Sequence, residues 1–196
     1  MRILGRCLIA TTTLLLAATL AGCTPAPTSS PMPRAASPTA TSTPTPSSTP
    51  VFASDEEALA AAVAIYRKYE AASDAVGRDG GAHPERVRPY VSDSGYEFEL
   101  AQAETLRAEQ SHGVGAAVLN NAVLKSRDEQ GGVATVTMHV CEDISAVDRI
   151  DAQGRSLVES TRGDYLDYEV VLKGSVRDGL VIHSNREWTG GGICKF

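Results

Sequence analysis

The chain has 196 residues, 42% hydrophobic and 21% charged, with 24 acidic against 18 basic side chains and a net charge of −6. All the acidic residues and 15 of the basic ones follow residue 50, so that part carries 15 minus 24, or −9. This balance argues against nucleic acid and against a bare anionic lipid surface as partners, and one Trp with three Phe and six Tyr is too few for a large aromatic ligand cage.

The first 22 residues read as a cleaved export signal: a basic start (Arg2, Arg6), an apolar stretch from Cys7 to Leu20, then small residues. That stretch is short of the ~20 apolar residues a transmembrane helix needs and is interrupted by Thr11, Thr12, Thr13 and Thr19. Leu20-Ala21-Gly22-Cys23 resembles the bacterial lipoprotein box, in which the thiol beside the cleaved bond is acylated. The resemblance implies that Cys23 is the first mature residue and carries lipid such as palmitate. It places the protein at the cell membrane on the extracytoplasmic face. Each buried methylene of such an anchor contributes about 0.8 kcal/mol.

Residues 23–50 follow as a stalk. Between Thr24 and Pro50 lie eight of the ten prolines and thirteen Ser or Thr, a composition that cannot bury a core and favours extended, polyproline-like chain. Residues 51–196 are long enough for one ordinary domain. With Cys7 lost in the signal and Cys23 committed to lipid, Cys141 and Cys194 remain as one pair, which in an oxidising compartment predicts a structural disulfide.

The domain opens with a helix. Ser54 before Asp55, Glu56 and Glu57 has the form of a capping box, and Leu59, Ala62, Val63 and Tyr66, flanked by Ile65, Tyr69 and Val76, recur at helical spacing until Gly77 and Gly80-Gly81. A second helical pattern runs from Asp93 to about Gln110 through Phe98, Leu100, Ala103 and Leu106. Period two then takes over. Ala117–Lys125 and Val133–Cys141 read as strands joined by a turn at Asp128–Gly132, the second placing Ala134, Val136, Met138 and Val140 on one face and Thr135, Thr137, His139 and Cys141 on the other. Residues 147–158 form a smaller ribbon or ordered excursion around Asp151-Ala-Gln-Gly154. Tyr165–Lys173 alternates with Leu166, Tyr168, Val170 and Leu172 inward, and Asp178-Gly179 turns the chain into a last strand, Leu180–Trp188. The predicted fold class is α+β, with N-terminal helices packed against a curved antiparallel sheet as a cone-shaped roll.

This order of elements, the Ala-rich first helix, Cys141-Glu-Asp-Ile-Ser followed by Val147-Asp-Arg-Ile-Asp-Ala-Gln-Gly154, and the final hairpin ending Trp188 to Cys194 resemble actinobacterial lipoproteins of the nuclear transport factor two superfamily. The resemblance implies a pocket between helix and sheet and a possible homodimer through the sheet. It implies no single activity, since that superfamily holds enzymes, binding proteins and interaction modules.

The pocket side chains expected on this reading are Tyr66, Tyr69, Met138, Tyr168 and His183. An acid or base for catalysis would come from His139, His183, Asp74 or Tyr66, but His139 falls on the outer face, His183 shares its face with Val181, Asn185 and Glu187 in a strand of ambiguous register, and Asp74 is explained by a surface position. Glu142 and Asp143 with Asp164 and Asp167 lack the twelve-residue calcium loop, and His83 and His112 lie in sequence expected to form loops. No catalytic triad, phosphate loop or zinc spacing occurs, so no catalytic residue, metal or cofactor is assigned. The expected function is therefore a non-enzymatic envelope module that meets another envelope protein or wall component through its sheet face or cone mouth. The alternatives are a small-ligand binder and an isomerase- or dehydratase-like enzyme. Filling of the cone by Leu59, Val63, Tyr66, Val136 and Met138 would count against both pocket alternatives.

Overall fold

A computed structural model describes residues 50–194. The export signal, Cys23 and the stalk up to residue 49 lie outside the described residues. Helix α1 spans Asp55–Arg78. Its capping box closes as expected: Ser54 Oγ accepts from the Glu57 amide at 3.2 Å, and the Glu57 carboxylate accepts from the Ala53 amide at 2.6 Å. The chain leaves the helix through Gly80 and Gly81. Gly81 has φ +84°, and a Cβ there would collide with the Ala103 carbonyl, so only glycine lets the two helices approach so closely.

A 3₁₀ segment, Pro84–Tyr90, absent from the sequence-based expectation, leads to α2, Asp93–Ala108. Ser92 caps α2, and its own amide donates to the Ile182 carbonyl at 2.8 Å. That bond pins the start of α2 to the last strand.

The strands are β1 (His112–Val114), β2 (Val118–Gln130), β3 (Val133–Asp143), β4 (Asp148–Ile150), β5 (Tyr165–Ser175) and β6 (Gly179–Glu187). The main sheet is antiparallel in the order β2-β3-β5-β6, and β1 pairs with β4 in a separate ribbon. It is a curved sheet behind helices, not closed into a barrel. Two expectations need correction. The first strand does not stop at Lys125: register shifts between Leu119 and Asn121 and between Leu124 and Ser126 let it continue through Asp128 to Gln130, and the turn is Gly131-Gly132. His112 lies not in a loop but in β1, opposite Ile150.

The inner face of the sheet carries the core. Ala134, Val136, Met138, Val140, Val170 and Leu172 are fully buried, most of them against Ala58, Ala62 and Tyr66 of α1. Each large side chain among them contributes about 1.5–3 kcal/mol by leaving water. This part of the cone is therefore filled by Tyr66, Val136 and Met138, with Leu59 and Val63 packed at its margin.

The outer face is covered in part by the C-terminal segment. Cys194 forms a disulfide with Cys141, and its amide donates to Asp167 Oδ1 at 2.9 Å. Trp188 lies on His139, with ring centroids 4.5 Å apart. His139, expected to be exposed or at an interface, is thus only 6% accessible, because the chain after β6 folds back over the outer face.

Candidate functional site

The cone stays open at one end, where β6, the C-terminal part of α1 and α2 diverge around a cleft of about 750 Å³. A bulge builds its inner wall. Ile182 pairs with Leu172 and Ser184 with Val171, which leaves His183 as the extra residue. Beyond it the alternation is reversed: Asn185 stands opposite Val170 and Glu187 opposite Tyr168, both inward positions of β5. Strict alternation from Ile182 would have turned Ser184 and Arg186 inward. Arg186 instead reaches the outer face, where it donates to Glu169 Oε1 at 2.9 Å, and Glu169 Oε2 lies 3.4 Å from His139 Nε2. The sequence reading that grouped His183 with Asn185 and Glu187 on one face is corrected by this bulge.

Opposite this wall, Tyr69 Oη donates to Glu99 Oε1 at 2.6 Å, tying α1 to α2 across the cleft. Burial pushes the Glu99 carboxyl above its ordinary range, and the Tyr69 bond pulls it back. Burial, then the charge and hydrogen bond of Glu99, raise the Tyr69 phenol, while a hydrogen bond from the Asn185 amide works the other way. The second polar atom of that amide, Asn185 Oδ1, is buried with no hydrogen-bond partner among the described residues. Phe98, 59% exposed, provides an aromatic side of the cleft beside Val91 and Ile182.

A second set of polar groups lies deeper. Tyr66 Oη donates to Glu142 Oε1 at 2.6 Å, and Glu142 is 5% exposed. Glu142 is the inward residue that continues Val136, Met138 and Val140 on β3. Glu70, one helical turn after Tyr66, is pushed well above the usual carboxyl range, first by burial and then by the charge of Glu142 and a hydrogen bond to it. Burial, followed by Glu142 and Glu70, also raises the Tyr168 phenol to about 12. Burial and the neighbouring Glu142 carboxylate both favour the protonated form of Glu70. Asp74, expected at the surface, is half-buried one turn further on, and burial raises its carboxyl while Arg78 opposes the shift.

Of the five side chains expected in a pocket, Tyr69, Tyr168 and His183 line this cleft, whereas Tyr66 and Met138 are fully buried beneath it. Burial and the charge of Lys173 hold the His183 imidazole below its usual range. Glu142 and Asp143 point to opposite faces of β3, and Asp143 Oδ1 accepts from the Ser145 amide at 2.9 Å, so the acidic pair does not converge. Cys141, Asp167 and Cys194 do gather, but both sulfurs are spent in the disulfide and offer no thiolate to a metal. Sequence reasoning passed over Glu70, Glu99 and the inward role of Glu142. Two signals for them were present: Tyr66, Glu70 and Asp74 recur every four residues along one side of α1, and Glu142 keeps the period of the apolar face of β3.

No family model and no curated protein sequence matches the chain. Among solved structures, the intermembrane space region of the chloroplast protein ARC6 is similar at 13% identity and a TM-score of 0.49, over 66% of this chain and 95% of that one. Aln2 from a Streptomyces species is similar at 17% identity and a TM-score of 0.38, over 68% of this chain and 90% of that one. Likenesses at this level carry no activity across.

Proposed function

We propose that the protein is a cell-envelope lipoprotein, anchored through lipid on Cys23 and held out on the residue 23–50 stalk, whose non-enzymatic α+β domain recognises its partner through the open mouth of the cone. This domain is, in the same proposal, of the nuclear transport factor two superfamily, supported by the order of two helices and then a curved antiparallel sheet. The observation that carries recognition is the unfilled cleft of about 750 Å³, lined by the exposed Phe98 ring and by the carboxylates Glu99 and Glu187. What favours recognition over an isomerase- or dehydratase-like activity is that Glu70 and its neighbour Glu142 lie outside the cleft lining, and that the raised carboxyl which does line it, Glu99, is already engaged by Tyr69 Oη. A small molecule and a side chain of an envelope protein or wall component are both partners such a cleft accommodates.

A second surface supports the homodimer reading. It is the outer face of the edge strand β2, where Val118 and Val123 are exposed. A photo-crosslinking amino acid placed at Phe98 and, separately, at Val123 tests both surfaces in cells. Adducts to a partner from Phe98 are expected; adducts from Val123 alone would move recognition to the sheet face. The anchor is tested by Cys23→Ala, which should release the protein from the membrane fraction, and unchanged fractionation would sink that part of the proposal.

A further inference from the structure

We infer that the cleft takes a protonated amine carried on an apolar body, an inference that rests on the cleft being the recognition site. Two carboxylates line it, Glu99 from α2 and Glu187 from β6. Glu99 is already oriented by Tyr69 Oη at 2.6 Å, and Glu187 is turned inward by the bulge. Carboxylates accept and do not donate, so the complement of this pair is a hydrogen-bond donor.

The charges select among donors. The two basic side chains along the cleft are Arg186 and His183. Arg186 is engaged by Glu169 on the opposite face of the sheet, and the environment of His183 disfavours its charged form. An anion would therefore meet Glu99 and Glu187 with no free cation beside them among the described residues. A cation would meet two carboxylates, which accept from its N–H groups. Phe98 adds an exposed ring with Val91 and Ile182 nearby, which suits an apolar group next to the ammonium, and the Tyr168 ring lies on the same wall.

The test is a titration of the full chain in detergent with phenethylammonium, 2-phenylethanol and 3-phenylpropionate, followed by backbone amide shifts. These probes differ mainly in the charge and donor capacity of one end. The ammonium should bind at least about tenfold more tightly than either analogue, with shifts at Glu99, Asn185 and Glu187, and Glu99→Gln should remove most of that gap. Should Glu99→Gln disturb folding, Glu187→Gln gives the same readout from the other wall. Equal or tighter binding of the carboxylate, no binding of the ammonium, or a gap that survives both substitutions would overturn the inference. If the ammonium fails while Phe98 still crosslinks a partner, the ligand class is wrong and recognition through the cleft stands; if both fail, the cleft reading falls too.

Discussion

The two ends of the inner sheet face come from the same strands and the same alternation, but one is filled and the other is open. Between Ala134 and Val140 every inward side chain of β3 is apolar and buried, and Val136, Met138 and Val140 share one core with Ala58, Ala62 and Tyr66. From Glu142 onward, and on β6 beyond His183, the inward positions become Glu142, Asn185 and Glu187. Apolar groups of matching size close against a helix; carboxylates and amides resist desolvation and keep a volume open unless each finds a partner. The filled end therefore supplies stability and the open end costs some of it, which is the usual arrangement for a binding site.

Breaking the filled end should have the largest effect. Met138→Ala is expected to lose about 2–5 kcal/mol in denaturant unfolding, whereas Phe98→Ala at the open end should stay within about 0.5 kcal/mol. Similar losses at both positions would erase the distinction. Next comes the outer covering: replacing Cys141 and Cys194 with Ser removes a cross-link over 53 residues of separation, and a loss of about 2–4 kcal/mol should appear in thermal unfolding, with reduced wild type behaving alike. Tyr66→Phe, at the junction of the two ends, deprives buried Glu142 of its donor and should cost about 1–3 kcal/mol.

The deep carboxyl pair predicts a pH signature. Because Glu70 titrates higher folded than unfolded, the folded state keeps a proton that the unfolded state releases above the ordinary carboxyl range. Stability from this group is fully present below that range and declines as pH rises through it, by at most about 1.4 kcal/mol per pH unit. Glu70→Gln has no such proton to lose, so its stability should gain on the wild type progressively from about pH 5 to about pH 8; parallel curves would show that Glu70 is not held protonated. The smallest effect is at Glu99. Glu99→Gln should leave the unfolding midpoint nearly unchanged, since the amide oxygen still accepts from Tyr69, and act on ligand binding alone.

Much of the fold was legible because its signals are local. The Ser54 cap, the stripe on α1, the alternation of β3 and β5 and the Asp178-Gly179 turn all act within a few residues, and the Cys141–Cys194 bridge followed from elimination in a chain read as exported. The site was only partly legible for the opposite reason. Tyr69 and Tyr168 were readable as inward aromatics, but the partners that give Tyr69 its meaning, Glu99 and Asn185, sit 30 residues or more away in sequence.

Sequence by itself determined that helices precede a curved antiparallel sheet and which face of β3 and β5 is apolar, because burial period is written residue by residue. Only the tertiary structure decided where the cone stays open, that Trp188 buries His139, and that the bulge at His183 turns Asn185 and Glu187 inward. A one-residue register shift reverses every side chain beyond it, and no local pattern shows which residue a strand will skip.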